Sequence, residues 1–121
     1  VYTYATDDAL TKKMIMDVSN KSYVMLETRK LTNHKSAQCH VSIEDNGTIN
    51  FISYTTLVIK AVPHTRGQYV LFCTGTYSQT TRKQIGWFLK EYFGDVTYYA
   101  MKKCAEDGTG IYAERKHAKY W

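Results

Sequence analysis

The sequence predicts an α+β fold: a four-strand antiparallel meander over residues 37–74, an amphipathic helix packed on one of its faces, and additional helices at both ends. Three observations lead to this prediction. Residues 37–74 alternate apolar and polar side chains between turn signals, residues 78–93 have a helical period, and the short connections make successive strands neighbours. With 121 residues, 44% of them hydrophobic, the chain can bury one core. We therefore expect a single globular domain over residues 1–121.

The first two strands of the meander form a predicted hairpin. Apolar side chains occupy every second position of the first strand: Ala37, Cys39, Val41 and Ile43. This alternation is typical of a half-buried strand. Asp45, Asn46 and Gly47 follow, and Asn-Gly favours a type I′ turn because both residues accept a positive φ. Ile49 and Phe51 then alternate with polar neighbours as the returning strand.

Two more strands complete the predicted meander. Residues 55–62 are rich in β-branched side chains and place three apolar residues on one face. Residues 63–67, which include the single proline of the chain, are predicted to connect this strand to the apolar run at 68–74. Successive strands joined in this way pair antiparallel.

Residues 78–93 have the spacing of an amphipathic helix. The apolar side chains fall at positions i, i+3, i+4 and i+7: Ile85, Phe88, Leu89 and Tyr92. This face must pack against another element, most simply the preceding sheet. Ser78 or Thr80 can supply the oxygen that caps the first turn, and Gly94 stands where a helix favours a left-handed final residue.

The two ends of the chain add further elements. A helix over about residues 7–18 is predicted from a capping threonine, two carboxylates in the first turn and an apolar residue at every fourth position. The hydrophobic pattern of residues 22–31 does not distinguish a strand from a helix. Residues 96–105 are predicted as a helix capped by Asp95, with a strand as the alternative because two consecutive tyrosines favour it. A short basic aromatic tail follows.

Charge and composition point to an anionic partner inside a reducing compartment. The net charge is +5, and residues 61–121 carry nine of the 16 basic but only five of the 11 acidic side chains. Such an excess favours nucleic acid or an acidic protein face, and the 11 tyrosines suit binding surfaces. The three cysteines have no paired spacing, which favours free thiols. Since neither a membrane span nor a signal peptide is visible, we expect a cytoplasmic protein.

The loop before the main helix is a candidate binding site. Tyr77, Ser78 and Thr81 present hydroxyl groups at a helix N-terminus, where backbone N–H groups commonly receive a phosphate. Arg82 and Lys83 follow in the first turn and could reach the same anion. The alternative is that Ser78 and Thr81 only cap the helix while Tyr77 packs below it.

Further candidate contacts lie in the basic second half of the chain. Cations and an aromatic residue suited to phosphate contact and base stacking occur there: Lys102, Lys103, Arg115, Lys116, Lys119 and Trp121. Trp87, on the main helix, is a candidate aromatic anchor for a protein partner. The alternative for the tail is a solvated segment whose Trp121 docks back on the core.

Metal binding and catalysis have weaker sequence support. Cys39 and His40 are adjacent on a strand, so their side chains point to opposite faces and cannot both ligate one ion without a bulge. A Tyr77–His64 pair could serve phosphodiester chemistry, but the strand between them separates its ends by about 20 Å. Cys73 lies in an apolar run and is predicted to be a small core residue. We therefore predict no metal, no cofactor and no enzymatic activity.

Two stretches of the chain carry a resemblance to a known group. Residues 53–58 read Ser-Tyr-Thr-Thr-Leu-Val and residues 77–85 read Tyr-Ser-Gln-Thr-Thr-Arg-Lys-Gln-Ile. The sequence resembles small proteins of tailed bacteriophages, especially gut phages, which share a Ser-Tyr-x-Thr strand followed by Tyr-Ser-x-Thr-Thr-x-x-His and an apolar helix. Gln84 stands where the histidine is usual. The resemblance covers about residues 43–93 and implies a phage-encoded accessory protein in the cytoplasm of the bacterial host.

Three functional hypotheses follow from the resemblance and the charge. Because such phage proteins commonly act on host defence or on nucleic acid, the first hypothesis is a non-enzymatic inhibitor that binds a host defence protein or nucleoprotein, for example a CRISPR-type effector. The second is an accessory protein that binds DNA or RNA directly. The third is a small phosphodiester-cleaving enzyme.

Overall fold

The computed structural model describes residues 3–5, 25–65, 67–75, 78–94 and 96–115. These residues form an α+β structure with a seven-stranded antiparallel sheet in the order β1-β7-β6-β5-β4-β3-β2. The elements in chain order are β1 (Thr3–Ala5), β2 (Met25–Arg29), β3 (Cys39–Glu44), β4 (Ile49–Ser53), β5 (Thr56–Thr65), β6 (Gln68–Cys73), α1 (Gln79–Tyr92), α2 (Tyr98–Asp107) and β7 (Gly110–Glu114). The α+β fold class is as predicted, but the predicted number of four strands is wrong. The predicted meander is β3 to β6, and further strands pair with both of its edges.

The hairpin between β3 and β4 has a different turn from the predicted one. The Gly47 N–H donates to the Glu44 carbonyl at 3.0 Å, and the Glu44 N–H donates to the Thr48 carbonyl at 2.9 Å. Gly47 has a φ of 90°, but Asn46 is not in the positive-φ region. The type I′ prediction is therefore wrong. The loop has three residues, and the glycine takes the left-handed position that closes it.

β5 is longer than the sequence predicted. It continues through Pro63 to Thr65, so the prediction of a connection at residues 63–67 is wrong. Pro63 pairs with Tyr69 on β6, and the register shifts between Pro63 and Thr65. A proline is tolerated in a strand at such an irregularity because the missing N–H is not needed there.

β2 and β7 pair with the two outer strands of the predicted meander, β3 and β6. Residues 25–29 form β2, which pairs with β3, so the undecided segment at 22–31 contains a strand. Residues 110–114 form β7 between β6 and β1, where the sequence predicted the start of a tail. Both strands are only five residues long, and the edge of the neighbouring strand supplies their hydrogen bonds.

The two described helices begin at side-chain caps. Ser78 caps α1, as the sequence predicted, and α1 ends at Phe93 with a φ of −142°. Gly94 is therefore not the left-handed final residue. α2 confirms the helical alternative for residues 96–105, but its cap is Thr97, whose Oγ1 accepts from the Ala100 N–H, and not Asp95. The left-handed glycine is Gly108, at the end of α2. The predicted helix at 7–18 lies outside the described residues.

The hydrophobic core lies between the helices and one face of the sheet. The Phe51 ring of β4 stacks on the Phe88 ring of α1, with centroids 4.7 Å apart. The four apolar positions predicted for the buried face of α1 are all in the core, as are Met101 and Cys104 of α2. No helix in the described part of the chain is both long and apolar enough to span a membrane.

The opposite face of the sheet carries a row of buried polar side chains. Ser42, Asn50 and Lys60 are neighbours across β3, β4 and β5, and Glu44 lies two positions beyond Ser42. All four are buried. The Lys60 ammonium lies 3.3 Å from Glu44 Oε2, and Asn50 Nδ2 donates to the same oxygen at 2.6 Å. The expectation that β3 is half-buried is therefore wrong at Ser42 and Glu44.

Candidate binding surface on the helices

Arg82 links the exposed sides of the two helices. Its guanidinium carbon lies 5.9 Å from the centroid of the Tyr98 ring, the distance of a cation–π contact. The Tyr98 and Tyr99 rings meet edge to face, with centroids also 5.9 Å apart. Tyr98 is half-buried, whereas 78% of Tyr99 is exposed. α1 thus contributes a cation and α2 an exposed aromatic ring to one surface.

Lys102 extends this surface along α2. It follows Tyr98 by four residues and Tyr99 by three, so the three side chains share a helix face. Arg82 and Lys102 are both exposed. Within the described part of the chain, neither forms an ion pair with a carboxylate. We call Arg82, Tyr98, Tyr99 and Lys102 the basic aromatic patch.

Lys83, Lys90 and Lys103 are the other cations of these two helices. Lys83 follows Arg82 and is exposed. Lys103 is exposed as well, but its ammonium lies 3.4 Å from Asp107 Oδ2. Part of its charge is therefore balanced within α2, which leaves Arg82 and Lys102 as the cations at the exposed tyrosines.

Two of the hydroxyl groups predicted to receive an anion, those of Ser78 and Thr81, form hydrogen bonds within the protein. Ser78 Oγ accepts from the Thr81 N–H at 3.4 Å and donates to Thr81 Oγ1 at the same distance. Thr81 is buried, and its Oγ1 lies 3.4 Å from Ser53 Oγ. Ser53 Oγ donates to Gln84 Oε1. Ser53, Thr81 and Gln84 therefore form a buried polar cluster, and Ser78 is bonded to Thr81 at its edge.

Trp87 lies on a different side of α1 from Arg82. Five residues separate them, which corresponds to about 140° around the helix. One face of the Trp87 ring is covered by His34, with centroids 3.7 Å apart and planes 7° from parallel. The loop that carries His34 is attached to α1 a second time, because the Thr32 N–H donates to Glu91 Oε1 at 2.8 Å. Trp87 thus fastens this loop and is not beside the patch.

The described part of the C-terminal segment ends at Arg115. Its Nη1 donates to the Tyr69 hydroxyl at 3.0 Å, and its guanidinium carbon lies 5.7 Å from the Tyr69 ring centroid. Arg115 is half-buried, and this burial lowers its pKa. Arg115 therefore contacts Tyr69 of β6. The other predicted contact residues lie outside the described residues: Tyr77, Lys116, Lys119 and Trp121.

The described thiols and imidazoles do not assemble a reactive centre. Cys39, Cys73 and Cys104 are free thiols. Burial raises the pKa of all three, and that of Cys104 to about 11. The His64 ring packs near the Tyr112 ring at 5.0 Å. Among the residues that the structure describes, no group of three His, Cys, Asp or Glu side chains is placed to hold a metal ion.

Sequence reasoning missed the tyrosines of the patch. Tyr98 and Tyr99 were interpreted only as β-prone residues, because neither belongs to the apolar stripe of a helix. The signal that could have found them is Thr97, a good N-cap residue directly before them. A cap at Thr97 places both tyrosines in the first turn of α2, with Lys102 one turn further on.

Comparison with known proteins identifies a family without an assigned activity. No curated protein and no solved structure matches this chain. One family model, described as a family of unknown function (DUF8033), matches residues 24–106, which is more than half of the chain. The matched region runs from the residue before β2 to near the end of α2 and so includes the whole basic aromatic patch. The chain therefore belongs to this family of unknown function, DUF8033.

Proposed function

We propose that this protein is a non-enzymatic inhibitor that binds a nucleoprotein component of a host defence system, such as a CRISPR-type effector. Its contact surface is the basic aromatic patch. The observation that carries the proposal is the contact of Arg82 with the Tyr98 ring, which lies beside the exposed Tyr99, with the exposed Lys102 one turn further along α2.

The composition of the patch suits an anionic partner. Exposed cations without acidic partners attract phosphate or carboxylate groups and speed up encounter with them. Tyrosine and arginine are also the residue types that most often dominate the binding energy of an interface. Because Arg82 already rests on Tyr98, part of its side chain is ordered before the partner arrives. Such order reduces the entropy that binding costs.

The resemblance to tailed-phage proteins supports the biological setting. A phage-encoded accessory protein would act in the cytoplasm of the infected bacterium, where nucleoprotein defence complexes operate. The two stretches on which the resemblance rests are in contact in this protein, because Ser53 is bonded to Thr81 and Gln84. Gln84, in place of the usual histidine, accepts a hydrogen bond from Ser53 there.

Direct binding of DNA or RNA by the same patch is the second candidate function. The exposed Tyr99 ring favours it, because an aromatic ring beside cations can stack on a base while the cations contact phosphates. The phosphodiester-cleaving hypothesis depends on Tyr77, which lies outside the described residues.

The test combines capture of a partner with a matched charge control. Arg82→Ala with Lys102→Ala removes both cations of the patch. Lys90→Ala with Lys103→Ala removes the same charge from the same two helices, and Lys90 lies about 12 Å further along α1. We expect the first pair to lose a purified CRISPR-type effector in pull-down and the second pair to keep it. Equal loss, or equal retention, in both pairs would overturn the patch as the contact surface.

A further inference from the structure

Tyr54 occupies a backbone conformation that tyrosine rarely adopts. Ser53 pairs with Thr56, so Tyr54 and Thr55 form a two-residue turn between β4 and β5. Tyr54 has a φ of 55° and is the one non-glycine residue with positive φ in the described part of the chain. A bulky residue in this region is a genuine outlier, and glycine or asparagine is the usual choice for such a turn.

Among the described residues, no hydrogen bond or ring contact of the Tyr54 side chain explains this choice. The residue is 58% exposed. Its backbone N–H donates to the Gln38 carbonyl at 2.7 Å, a bond that any non-proline residue would make. A strained residue that persists without a packing role points to a function for its side chain.

Tyr54 is linked to Arg82 of the basic aromatic patch by one side-chain contact and two steps along the chain. Its neighbour Ser53 reaches Thr81 in the first turn of α1, with 3.4 Å between the hydroxyl oxygens. Arg82 follows Thr81 and reaches the Tyr98 ring, which contacts Tyr99. Tyr54 and Tyr99 are the exposed large apolar side chains of the described residues. They stand at the two ends of these links, with Arg82 between them.

We propose that Tyr54 and Tyr99 are two stacking platforms of one surface for single-stranded nucleic acid, with Arg82 holding the phosphate backbone between them. This inference rests on the proposed function, because it uses the same patch. Unpaired bases expose their faces and stack on aromatic side chains, whereas the bases of a duplex stack on one another. The shared chemistry is an unpaired strand, either free or exposed within a nucleoprotein.

The test measures binding to three labelled probes. The first is a free strand of 15 thymidine nucleotides, the second is a duplex with a gap in which the same 15 nucleotides are unpaired, and the third is a fully paired duplex. Tyr54→Asn keeps a residue that tolerates the turn but removes the ring. We expect it to weaken binding to the free strand and to the gap by about tenfold or more, without lowering the unfolding midpoint. Tyr54→Phe keeps the ring and should bind like the wild type. Tyr54→Gly repeats the test if Tyr54→Asn fails to fold.

The outcomes separate this inference from the proposed function. If Tyr54→Asn binds both strands as tightly as the wild type while Arg82→Ala with Lys102→Ala does not, the role of Tyr54 is overturned and the patch stands. Equal affinity of the wild type for the duplex and the single strand overturns the preference for unpaired bases. Loss confined to the free strand or to the gap identifies the source of the strand. If the patch variants also keep the effector in pull-down, the proposed function fails as well.

Discussion

Two regions of this protein hold their charged side chains in opposite ways. On the sheet face away from the helices, Glu44 and Lys60 are buried and bonded to each other. On the helices, Arg82 and Lys102 face solvent with no carboxylate bonded to them in the described residues. The first region uses its charges within the fold, whereas the second leaves them available to a partner. The position of a charge, and not the formal net charge of +5, therefore shows which charged side chains are accessible to an anionic partner.

Burial of the Glu44–Lys60 pair costs desolvation free energy, and the hydrogen bonds around the pair offset only part of this cost. Glu44 Oε2 receives both the Lys60 ammonium and the Asn50 amide, but Glu44 Oε1 and Asn50 Oδ1 have no hydrogen-bond partner among the residues that the structure describes. An ion pair of this kind contributes more to specificity than to stability in some proteins. Here a slip of one residue of β5 against β4 would turn Lys60 towards the apolar core while Asn50 and Glu44 stayed on the opposite face. We infer that the pair helps to fix the register.

Breaking the buried pair should give the largest effect. Lys60→Met leaves the Glu44 carboxylate buried without its counter-charge, so we expect the free energy of unfolding to fall by about 3–5 kcal/mol. Urea denaturation followed by circular dichroism measures this. The control is Lys60→Met combined with Glu44→Leu, which removes both charges and should recover most of the loss. A single variant within about 0.5 kcal/mol of the wild type would contradict the distinction between the two regions.

Alkaline pH should weaken the helix-covered core. α1 presents Arg82 outward and buries Tyr92, whose pKa burial raises from 10.0 to about 12. The neutral phenol is favoured in the fold, so its contribution is fully present below pH 10 and is lost as the pH rises towards 12. The loss attributable to Tyr92 is about 2 kcal/mol. Tyr92→Phe should flatten this decline in urea denaturation at pH 8 to 12, whereas Tyr99→Phe, at an exposed position, should not. An equal decline of the free energy of unfolding with pH in both variants would contradict the role of Tyr92.

The buried polar cluster beneath α1 should give an intermediate effect. Gln84→Leu removes the acceptor of the Ser53 hydroxyl, and an unsatisfied buried hydroxyl costs about 1–2 kcal/mol. Thermal unfolding would show the loss. Ser53→Ala added to Gln84→Leu should then cost little more, because the orphaned hydroxyl is gone. Strictly additive losses would show that the two side chains do not act together.

Removal of the exposed charges should barely change stability. For Arg82→Ala with Lys102→Ala we expect a free energy of unfolding within about 0.5 kcal/mol of the wild type, because both side chains are exposed. Lys90→Ala with Lys103→Ala should behave alike in the same denaturation experiment. A loss above about 2 kcal/mol in the first pair alone would place Arg82 and Lys102 with the fold and not with binding.

The sequence predicted the elements that local signals define. The amphipathic stripe and the Ser78 cap locate α1, and alternation locates β3 and β4. β2 and β7 are not predicted, because such short strands depend on pairing with a neighbouring strand, which the local sequence does not show. The hairpin at Gly47 was found but given the wrong turn, because Asn-Gly is compatible with more than one loop length.

The candidate site was predictable only in part. Arg82 and Lys102 were identified from charge, but their convergence on Tyr98 and Tyr99 depends on how α2 packs beside α1. The strain at Tyr54 is a backbone property, so the Ser-Tyr-Thr-Thr stretch does not reveal it. The alternation of Ser42 and Glu44 suggested a solvated face because the sequence does not show that the opposite face is buried as well.

The most direct test of the central claim, that the unpaired charges of the helices bind the partner, is the affinity for a single-stranded oligonucleotide at two salt concentrations. The wild type, the Arg82→Ala with Lys102→Ala pair and the Lys90→Ala with Lys103→Ala control are compared. We predict that only the first pair binds much more weakly, with a slope of log affinity against log salt smaller by about 1.4, or 0.7 for each lost phosphate contact. Equal losses of affinity and slope in the two pairs would contradict the claim.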